Sequence, residues 1–157
     1  TPLRVFRKPL TRVRCGKIKM EFENAIIEDV YGYLGMEYSE EDPFVREIAT
    51  RITDSLFDLK SLGFGIHANS YDIRTFREVL NLKDKPDDLT IDDESFFEDV
   101  SGFIRGYVCE HVKIAFDPPG SAYVTNAIND RLKEQKFRLA RTVEDMRDTY
   151  DWLWRDE

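Results

Sequence analysis

Four side chains of this 157-residue chain have the types most used for nucleophilic or zinc chemistry: Cys15, Cys109, His67 and His111. Cys109 and His111 are two positions apart, so on a helix their side chains point about 200° from each other and cannot bind one ion. The sequence also lacks the G-x-S-x-G elbow that presents a nucleophilic serine. We expect His111 to be a core or helix-end histidine, which leaves His67 as the only histidine with a catalytic placement. The sequence therefore predicts no catalytic residue and no metal site.

Two further stretches resemble ligand-binding motifs, but a structural role suits each of them better. Gly63–Ala68 matches a relaxed dinucleotide fingerprint, yet that motif works between a strand and a helix, whereas here it follows a predicted helix. Asp84–Asp99 holds eight carboxylates, the ligand type that calcium prefers, but it lacks the glycine of an EF-hand loop. We expect a helix end and connector in the first case, and stabilisation of a helix N-terminus in the second. No cofactor is predicted.

The strongest functional indication is a charge difference between two parts of the chain. The first twenty residues contain seven cations and no acids, while the whole chain carries −8, which leaves −15 on the other 137 residues. A charge split of this kind indicates a binding partner. The predicted partner-binding residues are Arg4, Arg7, Lys8, Arg12, Arg14, Lys17 and Lys19.

Three partners could neutralise this basic segment. An acidic protein surface could meet it, and could also be extended by strand pairing. Nucleic-acid phosphates could bind the cations, although a body of −15 would oppose that unless the segment projects away from it. The third possibility is internal, with the segment lying against the acidic helices of its own chain. We predict a non-catalytic interaction or assembly subunit docked on a larger protein through this segment; the alternatives are a nucleic-acid-binding accessory factor and a small helical enzyme or ligand carrier.

Composition sets the class of protein. Hydrophobic residues make up 41% and charged residues 34%, while aromatic residues at 13% supply large buried areas. No apolar run approaches the roughly 20 residues of a membrane-spanning helix, and no apolar signal core is present. Two cysteines do not make a disulfide framework, so a reducing intracellular compartment is expected, in the cytoplasm or an organelle.

Periodicity predicts a mainly helical bundle of five or six helices within one domain at 10–157, preceded by an extended basic arm at 1–9. Residues 11–20 alternate between apolar and basic types, with a phase shift at Gly16, which indicates a strand. Residues 112–116 also alternate, and the two segments are predicted to pair as a minor two-stranded β element.

Helical spacing covers most of the remaining sequence. We predict helices over 21–36, from a Ser39 cap to Gly63, from about 70 to 80, from a Thr90 cap onward, and after Ser121. In the last of these, apolar residues fall seven positions apart, and Lys136 occupies a position where an apolar residue is expected. This spacing indicates a packing seam, with a helical hairpin possible at Thr142 and a homo-oligomer through 132–153 as the alternative. The heptad residues are Leu132, Leu139, Met146 and Leu153.

Overall fold

The computed structural model describes residues 25–64, 79–80 and 87–154. These ranges contain four α-helices, α1 (Ile26–Tyr33), α2 (Val45–Ser61), α3 (Ile91–Phe116) and α4 (Ala122–Thr149), followed by a 3-10 helix (Asp151–Trp154). The seven cations of the basic segment, the strand predicted at 11–20 and His67 lie outside the described residues, as does most of the helix predicted near 70–80. The prediction of a mainly helical protein is confirmed.

The predicted β element is wrong at its second strand. Residues 112–116 form the last part of α3, and the backbone N–H of Asp117 still donates to the Lys113 carbonyl at 2.8 Å. A short apolar run does not distinguish a strand from a buried helical segment, and extending an existing helix adds one hydrogen bond per residue fixed. The described ranges contain four α-helices, so the predicted five or six are not matched there, and most of the helix predicted near 70–80 lies outside these ranges.

Helix α3 is the centre of the fold. It begins with the predicted Thr90 cap, where the Thr90 hydroxyl accepts from the Asp93 N–H and the Asp93 carboxylate accepts from the Thr90 N–H. Four consecutive residues, 107–110, are all buried. Successive helical residues point about 100° apart, so such burial requires neighbours on several sides. Helices α1, α2 and α4 supply these neighbours, because each of them packs against α3.

Helix α2 begins later than the sequence indicates. Ser39 does not cap it, because the helix starts at Val45 and its N-cap residue is Phe44. Pro43 disfavours a helical conformation at Asp42, and the Asp42 carboxylate instead accepts the Phe44 N–H at 2.8 Å in a local turn. The predicted end is right: Gly63 follows the helix with φ of 102°, a conformation that favours glycine.

Helix α4 is continuous from Ala122 to Thr149, so no helical hairpin forms at Thr142. The Thr142 hydroxyl donates to the Arg138 carbonyl one turn earlier, which lets a threonine remain within the helix. Leu132, Leu139, Met146 and Leu153 are all buried in the core. The heptad seam therefore packs within the chain, and a homo-oligomer would have to use another face of this helix.

We expect Ile104→Ala to destabilise the protein by about 2–5 kcal/mol, because Ile104 is fully buried and the change leaves a cavity on α3. The preceding residue provides a control: Phe103 is 62% exposed, and Phe103→Ala should change stability by less than about 0.5 kcal/mol. Urea unfolding followed by circular dichroism measures both. Equal effects of the two substitutions would contradict the central position of this face of α3.

Candidate functional site

A polar cluster joins three helices in the middle of the bundle. Helix α2 contributes Ser55 and Asp58, α3 contributes Tyr107 and His111, and α4 contributes Lys136. Ser55 and Asp58 are three positions apart on α2, and Tyr107 and His111 are four apart on α3, so each pair lies on one helix face. The seam residue Lys136 completes the cluster from the third side.

Ser55 fixes the orientation of the imidazole. Its Oγ lies 2.6 Å from His111 Nδ1, and it also donates to the Arg51 carbonyl at 3.0 Å. A hydroxyl has only one proton to donate. We therefore infer that Nδ1–H of neutral His111 donates to Ser55, which leaves Nε2 unprotonated and directed towards Asp58.

Asp58 is the acceptor shared by the cluster. Its Oδ2 accepts the Tyr107 hydroxyl at 3.0 Å, and it lies 3.4 Å from Lys136 Nζ and 3.8 Å from His111 Nε2. The Tyr107 ring stacks on the imidazole with centroids 5.7 Å apart. Burial, followed by the hydrogen bond to Asp58, raises the pKa of Tyr107, so its hydroxyl stays protonated as a donor.

Burial is also the main cause that lowers the pKa of His111 below its usual 6.5. Asp58 and Asp54 act in the opposite direction, while Lys136 and Arg51 add to the lowering. The imidazole is therefore neutral at pH 7. It contributes a hydrogen bond and a stacked ring to the cluster, but no charge.

The residue types resemble a Ser–His–Asp triad, but the arrangement does not suit catalysis. Ser55 is 0% exposed, so no substrate can reach its hydroxyl. The distance of 3.8 Å between His111 Nε2 and Asp58 is longer than a hydrogen bond, whereas a triad needs that bond to orient the base. The cluster instead ties three helices together. His111 was expected to be a core or helix-end histidine; its ring is half-buried against Tyr107, five residues before the end of α3.

A small pocket of about 90 Å³ lies beside the C-terminal part of α3, where residues of α1 and α4 also line it. Its buried Glu110 accepts from Arg131 and, at 3.4 Å, from the Gln135 side-chain amide. Cofactor sites measure roughly 300–1,000 Å³, so this pocket suits at most one side chain of a partner. Its lining residues are Tyr33, Glu110, Lys113, Ile114, Asp117, Pro119, Ile128 and Arg131.

The other candidates for chemistry within the described ranges have structural positions. Cys109 is buried, and burial raises the pKa of its thiol to about 12, so it is not a reactive thiolate. In the acidic stretch, Asp93 is held by Thr90 and by the Tyr150 hydroxyl at 2.6 Å, which lowers the pKa of this carboxyl. Among the residues with described positions, no group of three or more Asp, Glu, His or Cys could hold a metal ion.

Sequence reasoning missed the polar cluster because its partners are 49 to 78 positions apart in the chain. Two local signals could have indicated it. Ser55 is a polar residue within the apolar stripe of α2, between Ile52 and Leu56. Lys136 occupies an expected apolar position on α4, which is the usual sign of a partner on a neighbouring helix.

Comparison with protein-family models, curated proteins and solved structures finds no match to this chain. None of the helices in the described ranges is long and apolar enough to cross a membrane. Function must therefore be argued from the residues themselves.

We predict that His111 titrates below pH 6.5 in the folded protein. Proton NMR of a His67→Gln variant, which leaves one imidazole, measures this pKa directly. Lys136→Met should raise the pKa because it removes a neighbouring cation, and Asp58→Asn should lower it because it removes an anion.

Stability should follow the same titration. The unfolded chain binds this proton more readily than the folded protein, so the free energy of unfolding should fall as pH decreases from 6.5 towards the lower folded pKa. This contribution to the pH dependence of stability should be absent in His111→Gln. A His111 pKa above 6.5 in the folded protein would contradict the arrangement described for the cluster.

Proposed function

We propose that the protein is a non-catalytic interaction or assembly subunit that docks on a larger, acidic partner through its basic N-terminal segment. The observation that carries this proposal is the charge split of +7 on residues 1–20 against −15 on the rest. Closely spaced cations attract a complementary surface and increase the rate of association. The segment also contains apolar residues, which would contribute contact area beside the charges.

The helical body is consistent with a non-catalytic role. In its polar cluster the hydroxyl of Ser55 is inaccessible, and His111 lacks the hydrogen bond to Asp58 that would orient a catalytic base. The acidic surface of the body would be repelled by the acidic partner that binds the segment. The body and the segment would therefore face different environments. A bundle of this kind can serve as a rigid carrier for a docking segment.

The proposal predicts that partner capture depends on four cations of the segment. A tagged chain with Arg12, Arg14, Lys17 and Lys19 changed to Gln should lose its specific partner in a cross-linked pull-down quantified by mass spectrometry. A control changes four exposed cations of the helices to Gln and so alters net charge by the same amount; these are Arg46, Lys60, Lys133 and Arg141. Removal of residues 1–19 should have the same effect as the first set.

Two results would contradict this proposal. One is capture of the same partner by the chain that lacks residues 1–19. The other is equal loss with the control set, which would mean that only net charge matters. Circular dichroism of each variant separates loss of binding from loss of folding.

A nucleic-acid-binding accessory factor is the second candidate, favoured by the interleaving of cations with Val5, Phe6 and Val13. It predicts measurable affinity for RNA or DNA at low salt, falling steeply as salt rises because bound counterions are released. Fluorescence anisotropy with labelled single- and double-stranded oligonucleotides tests this. Negligible affinity at about 50 mM salt, where such contacts are strong, would exclude the second candidate.

A further inference from the structure

One end of the bundle combines exposed aromatic side chains with uncompensated acidic charge. It is formed by loop 34–44, the last turn of α3 and the first turn of α4, and we call it the acidic end. These parts are adjacent because Phe44 packs edge-on against Phe116 with ring centroids 5.4 Å apart. At the same end, Lys113 Nζ lies 5.4 Å from the centroid of the Tyr33 ring.

The charge of the acidic end is strongly negative. Loop 34–44 contains Glu37, Glu40, Glu41 and Asp42 and no lysine or arginine, and its three glutamates are exposed. The nearby Arg131 is already paired with Glu110. Lys113 and the exposed Arg46 in the first turn of α2 offset part of this negative charge, and the remainder is available to a cationic ligand.

The same surface presents apolar area. Tyr123 is 84% exposed in the first turn of α4, and Tyr33, Phe44 and Val124 are each more than 40% exposed. Of these four residues, Tyr33 lines the pocket of about 90 Å³, whose walls also include Ile114, Pro119 and Ile128. Apolar patches with a charged rim mark interaction sites.

We propose that residues 1–20 of the same chain dock on the acidic end. This segment carries seven cations and no acids, which complements the carboxylates of loop 34–44. Its cations are interleaved with apolar residues that suit the exposed rings and the pocket; these are Val5, Phe6, Val13, Ile18 and Met20. Exposed carboxylates also surround the start of α3, at Asp87, Asp88 and Asp92, so charge alone does not select one end. The acidic end is selected because there the carboxylates coincide with exposed rings and a pocket.

The covalent connection permits this contact. Residue 20 is five positions before Ala25, and five extended residues span about 17 Å, while α1 from Ile26 to Tyr33 is about 12 Å long. The segment can therefore pass along α1 and reach Tyr33. A free tether would not favour the acidic end. Helix α1 runs from its attachment at Ala25 towards that end, with Asp29 against Arg105 and Tyr33 against Lys113, so Ala25 lies farther from Phe116 than Tyr33 does.

This inference goes beyond the proposed function and does not require a partner. If an acidic partner does bind the segment, that partner must displace it from the chain's own carboxylates. The acidic end would then lower the apparent affinity for weak partners and favour those with greater negative charge. The experiment below uses the purified chain alone, so its failure and the failure of the proposed docking are separate results.

Disulfide trapping in the full-length chain tests the contact, because Cys15 lies within the segment. Tyr123→Cys places a partner thiol at the acidic end. Ile91→Cys is a matched control, since Ile91 is 85% exposed and lies at the opposite end of α3, about 39 Å away. Cys109 does not interfere, because it is buried and its thiol pKa is raised to about 12.

Under mild oxidation at low protein concentration, we expect an internal disulfide with Tyr123→Cys to form at least about tenfold faster than with Ile91→Cys, because docking raises the local thiol concentration. Salt at about 1 M, where charges are screened beyond roughly 3 Å, should remove most of this difference. The combined substitutions Glu37→Gln, Glu40→Gln and Glu41→Gln should also remove most of the difference in rate. Val124→Cys is a second position at the acidic end and should behave like Tyr123→Cys.

Three results would overturn the proposal. Equal rates at the two ends would mean that the segment does not dock. Absence of a disulfide at both Tyr123→Cys and Val124→Cys would exclude the acidic end. Cross-linked dimers in place of internally linked monomers would identify a second copy of the chain as the occupant.

Discussion

Burial of α3 on several sides is the constraint on which the rest of the structure depends. Tyr107, Val108, Cys109 and Glu110 are consecutive and all buried, so this part of the helix has no solvent face. Any polar atom there must find a partner within the protein, because leaving it unpaired costs about 1–3 kcal/mol or more. Tyr107 therefore requires Asp58 from α2, and Glu110 requires Arg131 and Gln135 from α4.

These paired groups fix how the helices sit against one another. Apolar side chains can slide past each other with little loss of interaction energy, whereas hydrogen bonds and ion pairs form only at defined distances. The contacts of Asp58 with Tyr107 and Lys136 join α2, α3 and α4 at a single level. His111 fills the remaining space, neutral and stacked on Tyr107, and this role explains why residues of triad-like type serve packing here.

Surface charge is the basis of the functional proposals for this helical body. Its inward polar groups are committed to one another, while carboxylates dominate the loop between α1 and α2. The seven cations of residues 1–20 form a stretch of complementary charge that contains no acids. Both proposals made for this protein, docking on an acidic partner and docking on the acidic end, depend on this one asymmetry and differ only in which surface provides the carboxylates.

The sequence by itself determined the features that depend on near neighbours in the chain. The Thr90 cap, the glycine after α2 and the heptad seam of α4 were predictable because each involves residues within one or two helical turns. The mainly helical class followed from the same local spacing. The charge split also needs no structure, because it is a property of composition along the chain.

Only the tertiary structure decided what depends on distant partners. The alternation at 112–116 is equally consistent with a strand, but the segment continues α3, with Val112 buried against the core and Lys113 and Ala115 exposed. Ser55 and His111 are 56 positions apart, and Asp58 and Lys136 are 78 apart, so no local pattern specifies these contacts. The chain encodes each helix locally, but the packing of α3 among the other helices selects which polar residues meet.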